Sequence, residues 1–186
     1  VFVDLEEPKI SSVTEFKNDL DWFGPSIDGH IFANASDNGG ITKYEFSIGS
    51  SAGLDDIISW TVSDSNSYLA DVSSLSEDVT YYSNARVTDV VGNIATQSSD
   101  GFKMDITNPI LGNISIGNEY QSDTSKVTYV WSDFDDLHSG IADYQYSLGT
   151  ESGLTDVIPR TSFGLNADFA SVSITIGGLS LQNEQT

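Results

Sequence analysis

The chain has 186 residues, 38% of them hydrophobic, which is enough to bury a core in one or two domains. It has no cysteine and a formal net charge of −21. This excludes disulfides, thiolate metal sites and binding to a nucleic-acid backbone, whose phosphates nothing here would neutralise. The charge also opposes adhesion to an anionic membrane surface, and no apolar run approaches the roughly 20 residues of a spanning helix.

Of the 28 acids, 20 are Asp and 8 are Glu. Asp disfavours strands and helices and favours turns, so the charge is expected in loops. Residues 1–20 include Asp4, Glu6, Glu7 and Glu15 where a signal peptide would be apolar, so the chain is expected to be an internal segment of a longer protein. Small secreted mammalian domains often carry disulfides, and their absence points to a bacterial surface protein.

Period-two alternation predicts strands throughout. The first is Ile10–Thr14. An insertion follows, Asp19-Leu20-Asp21-Trp22-Phe23-Gly24-Pro25. In Ile27–Asn34, Ile27, Gly29 and Ile31 alternate with Asp28 and His30. In Lys43–Gly49, Tyr44, Phe46 and Ile48 alternate with Glu45 and Ser47. Ser59–Ser63, Tyr68–Val72, Thr80–Val90 and Ile94–Met104 complete a set of seven, labelled A, B, C, C′, E, F and G. The last is interrupted at Ser98-Ser99-Asp100-Gly101, a bulge or break. Turn signals such as Asp37-Asn38-Gly39-Gly40 and Val91-Gly92-Asn93 separate the runs. No useful stretch has a 3.6-residue period.

The chain also repeats itself. Ile41, Tyr44, Phe46, Gly49, Gly53, Leu54, Asp56 and Ile58 match Ile141, Tyr144, Tyr146, Gly149, Gly153, Leu154, Asp156 and Ile158. Asp4 and Pro8 likewise match Asp105 and Pro109, and Leu75 to Thr80 matches Leu179 to Thr186 more weakly. A period near one hundred residues is one β-sandwich. The expected organisation is a linker over 1–5, a first sandwich over 6–104 and a second over 105–186. Because Thr80 aligns with Thr186, the second is expected to be incomplete, without strands F and G. Those strands would come from a continuation of the chain or from another chain.

Leu75 precedes Tyr81 by six residues at the entry to the longest strand. This resembles the tyrosine corner of fibronectin type III and immunoglobulin-like sandwiches. The run from Tyr81 through Asp89, Gly92 and Asn93 is similar to the F strand and F–G turn of bacterial fibronectin type III-like repeats. Met104-Asp105-Ile106-Thr107-Asn108-Pro109 is similar to the junctions of bacterial immunoglobulin-like arrays. The resemblance covers the whole chain and implies tandem sandwiches, with Tyr81 buried and its hydroxyl bonded to backbone near Leu75–Asp78. Ser83 and Ala85 are smaller than is usual on that strand, which implies looser packing there.

Sandwich topology gathers the preceding linker, the B–C loop and the F–G loop at one end. That brings together Asp4, Asp37 and Asp89, with Asn93, in the first repeat, and Asp105, Asp133, Asp135 and Asp136 in the second. The other end of the first repeat offers Asp19, Asp21, Asp55, Asp56, Glu77 and Asp78. Oxygen ligands in such numbers suit calcium. The expectation is that calcium stiffens the junction of Asp105, Asp133, Asp135 and Asp136 with Glu77 and Asp78; solvated turn acids are the bland alternative. Trp22 and Phe23 are candidates to stack on a sugar or anchor a partner, against the alternative that they plug their own sandwich. Trp131 and Phe32 are expected in the core. His30 and His138 fall at unrelated positions, and no nucleophile elbow or phosphate loop is recognisable, so no catalytic set is expected.

Three functions follow as expectations. The first is a structural, adhesive segment of a large extracellular or cell-surface protein, an adhesin, stalk or filament, with a short proline-ended linker giving a semi-rigid array. The second is a glycan- or protein-binding module working through Trp22 and Phe23. The third is an accessory region of a secreted hydrolase. The expected partners are neighbouring repeats, other copies of the chain or a surface glycan or protein, without nucleic acid or membrane insertion.

Overall fold

A computed structural model describes residues 3–15, 19, 21–24, 29–117, 120–163 and 171–182, the side chains of 171 and 172 excepted. The chain is all-β, and no helix occurs among the described residues. Contacts divide it into two units, Val1–Ile106 and Thr107–Thr186.

The first unit contains β1 (Lys9–Glu15), β2 (Trp22–Phe23), β3 (Gly29–Ser36), β4 (Ile41–Gly49), β5 (Ile58–Ser63), β6 (Ser67–Ala70), β7 (Tyr82–Asp89), β8 (Ile94–Ser98) and β9 (Lys103–Met104). One antiparallel sheet runs β1-β3-β6 and the other β5-β4-β7-β8. Alternation explains which face each strand buries. Val13 and Glu15 turn inward from β1, Gly29, Ile31 and Ala33 from β3, and Ser83, Ala85 and Val87 from β7. Phe46 and Ile48 bring β4 into the same core, with Tyr81, Phe102 and Met104. Each large side chain buried there contributes roughly 1.5–3 kcal/mol. The small residues of β7 have a reason: Ala85 stands opposite Phe46 across the sheet, and both are fully buried.

Tyr81 precedes β7 and is buried. Its backbone pairs with Phe102 through two 2.8 Å hydrogen bonds, and its hydroxyl accepts the Ser76 N–H at 3.0 Å. The last predicted strand is two separate ones. β8 ends at Ser98, and β9 leaves that sheet to pair in parallel with β2, an element the sequence pattern did not predict. Gly101, at φ 105°, lies between β8 and β9, where a Cβ would meet Thr80 and Tyr81 within about 3 Å. Asp105 belongs to the first unit because its N–H donates to the Phe23 carbonyl at 2.8 Å.

Phe32 is not a core residue. Gly29, Ile31 and Ala33 face inward, so Phe32 lies on the other face beside the His30 ring, centroids 5.4 Å apart. A one-residue offset moves a side chain to the opposite face.

The second unit contains β10 (Asn113–Ile116), β11 (Lys126–Ser132), β12 (Gln145–Leu148), β13 (Ile158–Ser162) and β14 (Ser171–Gly177). Its sheets run β10-β11-β14 and β12-β13. Val127, Tyr129 and Trp131 are buried, with Tyr144, Leu148, Phe163 and Ile176 packed against them. Trp131 meets Phe163 edge-on at 5.5 Å. Among the described residues, β12 pairs with β13 on one side and with nothing on the other, where the first unit places β7 beside β4.

Candidate functional site

Turn chemistry builds an acidic cluster at one end of the first unit. Asp37 follows β3, and its Oδ1 accepts the N–H groups of Gly39 and Gly40 at 2.7 and 3.1 Å. Asp89 ends β7 and is buried. Its Oδ1 accepts the Val91, Gly92 and Asn93 N–H groups at 2.9, 2.6 and 2.8 Å, and its Oδ2 accepts Asn93 Nδ2 at 2.7 Å. Asn93 also donates to the Glu6 carbonyl at 2.9 Å, and Asp4 accepts the Glu6 N–H at 3.1 Å. One carboxylate oxygen from each of Asp4, Asp37 and Asp89 lies within 4.8 Å of the others. Burial works against the charge on Asp89, but the bonds from Asn93, Val91 and Gly92 outweigh it and hold the carboxyl below its ordinary range. The donors are all oxygen, the kind a hard cation takes.

The remaining predicted acids have other engagements. Glu77 accepts the Ile106 N–H at 3.1 Å, and Asp78 pairs with Lys103 Nζ at 2.7 Å. Asp105 is buried. Asp133 accepts Asn113 Nδ2 and the Ser132 hydroxyl at 2.9 and 2.8 Å, which hold its carboxyl below the ordinary value. Asp135 accepts the Asp136 N–H at 2.9 Å, and Asp136 accepts those of His138 and Gly140 at 3.1 and 3.0 Å. Asp133, Asp135 and Asp136 do not form a three-carboxylate group of the kind that Asp4, Asp37 and Asp89 make.

Phe23 is 1% exposed and stacks on Phe102 at 4.6 Å, so it presents no face to a sugar or a partner. It belongs to the core of the first unit with Phe102 and Met104, where β2 pairs with β9. Trp22 is half-buried, with Lys103 Nζ 5.3 Å from its ring centre. A half-open groove of about 520 Å³ is lined by Leu69, Ala70, Val72, Leu75, Met104 and Ile106. Its carboxylate, Asp71, is occupied by the Ser73 N–H and hydroxyl, which lower its pKa.

Three features escaped the sequence. Glu45, 7% exposed on β4, receives two bonds from Arg86 at 3.0 and 2.8 Å, and Arg86 covers the Trp60 ring at 4.5 Å. Buried Asn84 donates to the Leu54 carbonyl at 2.6 Å and accepts the Gly53 N–H at 2.7 Å, pinning the β4–β5 turn. A second carboxylate group, Glu15, Asp19 and Asp100, meets the same 4.8 Å limit. The inward alternation of Val13 and Glu15 was the signal available for it.

A scan against protein-family models gives no match, and searches of curated proteins and of solved structures give none either.

Proposed function

We propose that the chain is a structural, adhesive segment of an extracellular cell-surface protein built from fibronectin type III-like or immunoglobulin-like repeats. The observation that carries this reading is a matched pair of hairpins. Ile48 pairs with Ile58 and Phe46 with Thr61 around a bulge; Leu148 pairs with Ile158 and Tyr146 with Thr161 around another. Ser50 N–H and hydroxyl bond Asp56 at 2.8 and 2.7 Å, and Thr150 bonds Asp156 at 2.9 and 2.8 Å. Gly53 and Gly153 have φ of 83° and 86°. One module used twice in a single chain is how extended surface proteins are assembled. The β1-β3-β6 and β5-β4-β7-β8 sheet orders and the Tyr81–Ser76 bond support the named type. Calcium at Asp4, Asp37 and Asp89 belongs to this reading, because turn bonds already hold those carboxylates in place.

Surface labelling tests it. Intact cells that make the protein should expose this chain to an added antibody and protease. Labelling only after lysis would contradict the proposal. The glycan-binding alternative now rests on Trp22: binding on a glycan array that Trp22→Ala abolishes would favour it over a structural role.

A further inference from the structure

Glu15 is the last residue of β1, and its alternation with Val13 turns it into the sandwich, where it is 1% exposed. The Ser99 hydroxyl donates to Glu15 Oε1 at 2.5 Å and itself accepts the Ser83 N–H at 3.1 Å. Among the described residues Glu15 Oε2 has no hydrogen-bond partner within 3.5 Å, and neither has the buried Ser83 hydroxyl. An ionised carboxylate at such depth needs an opposite charge or a full set of donors. Among the described residues neither is found: no Lys or Arg of these forms an ion pair with Glu15, Asp19 or Asp100. Instead two more carboxylates approach, one oxygen from each of the three lying within 4.8 Å of the others. Burial raises the Glu15 carboxyl, and the bond from Ser99 only partly opposes it. Desolvation and then the charges of Asp100 and Asp21 raise that of Asp19. Among the described residues the place holds negative oxygen in excess and no positive charge.

We propose that Glu15, Asp19 and Asp100 bind a hard divalent cation, with calcium the best-suited ion. All the donors are oxygens, and none of the three is a His or Cys that would favour zinc or copper. Three carboxylates fall short of the 6–8 ligands calcium takes, so water completes the shell on the side where Asp19 and Asp100 are exposed. Calcium tolerates that irregular mixture, whereas magnesium demands near-ideal octahedral geometry. The ion offsets the charge of the idle Glu15 oxygen and ties the end of β1 to the turn after β8. The inference is independent of the adhesive role and of any ion at Asp4, Asp37 and Asp89.

The test is calcium titration of the whole chain after chelation, followed by calorimetric binding and by thermal melting. Asp4→Asn removes one charge from the other acidic cluster and leaves this site intact. In that background, saturating calcium should raise the melting temperature by about 5 °C or more. Adding Asp19→Asn or Asp100→Asn should abolish both the rise and the binding. Glu15→Gln should raise the melting temperature of the calcium-free protein and remove its response to calcium. Two ions bound by the unmodified chain and one by Asp4→Asn would support both sites; one ion in each case would leave this site standing and remove the other. Calcium responses unchanged by Asp19→Asn and Asp100→Asn would overturn the proposal, as would no binding at all. So would a melting-temperature loss in Lys17→Met without any calcium response, which would give Lys17 the compensating charge.

Discussion

The hairpin of β4 and β5 and the hairpin of β12 and β13 have the same turn, the same bulge and the same register, yet they belong to very different sheets. β4 is central, with β5 on one side and β7 on the other; β12 has β13 alone among the described strands. Phe46 is accordingly fully buried, while the matching Tyr146 is only half-buried, its ring 6.3 Å from Tyr129. A turn of this kind is therefore set by its own residues. Gly49 and Gly149 both admit the following Leu carbonyl to within 2.3 Å of where a Cβ would stand, and an Asp in each turn closes the loop. The depth of the core is set by β7, which is distant in sequence.

Paired truncations should break the symmetry most visibly. Phe46→Ala should destabilise the first unit by about 3–5 kcal/mol, whereas Tyr146→Ala, at a half-exposed site, should cost the second unit roughly 1 kcal/mol. Denaturant melts of each variant would read this, and equal costs would mean that β12 is as deeply packed as β4. Asn84→Ala comes next. It strands the Gly53 N–H and the Leu54 carbonyl and should cost about 2 kcal/mol. Proteolysis should then cut the 50–57 turn about as readily as the 150–157 turn. Tyr81→Phe removes the acceptor of the Ser76 N–H and should cost about 1 kcal/mol.

The smallest effect concerns Glu45. Its bonds from Arg86, helped by Lys43, outweigh the opposing burial and lower its pKa. A carboxyl lowered in the folded state contributes stability above its unfolded pKa and loses it as pH falls through the folded value. Glu45→Gln should therefore cost under about 1 kcal/mol at neutral pH, because Arg86 is partly exposed, and nothing at strongly acid pH. A cost independent of pH would show that the ion pair contributes nothing.

Much of the first unit was legible because runs such as 27–31 and 44–48 alternate apolar or small residues with polar ones, and its turns carry Asp, Asn and Gly. The gathering of Asp4, Asp37 and Asp89 was legible for a related reason: sandwich topology sends those loops to one end. Phe32 was assigned to the core by its correspondence to Trp131, although the alternation through Gly29, His30 and Ile31 already placed it on the outer face. β2 is two residues long and pairs in parallel with β9, a long-range contact without a local pattern. Glu15 stayed hidden because an acid at an inward position contradicts the rule that marks strands, and only its neighbours Ser83 and Ser99 show why it is held there. Those two residues lie 68 and 84 positions further along the chain.

Native-state hydrogen exchange on the whole chain measures the central difference directly, namely that β7 completes the first unit and has no counterpart among the described strands of the second. Amides of Tyr44–Ile48 should exchange only through global opening of their unit, and those of Gln145–Leu148 faster by on the order of 100-fold or more. Equal protection of the two segments would show that β12 is as fully paired as β4 and would contradict the account.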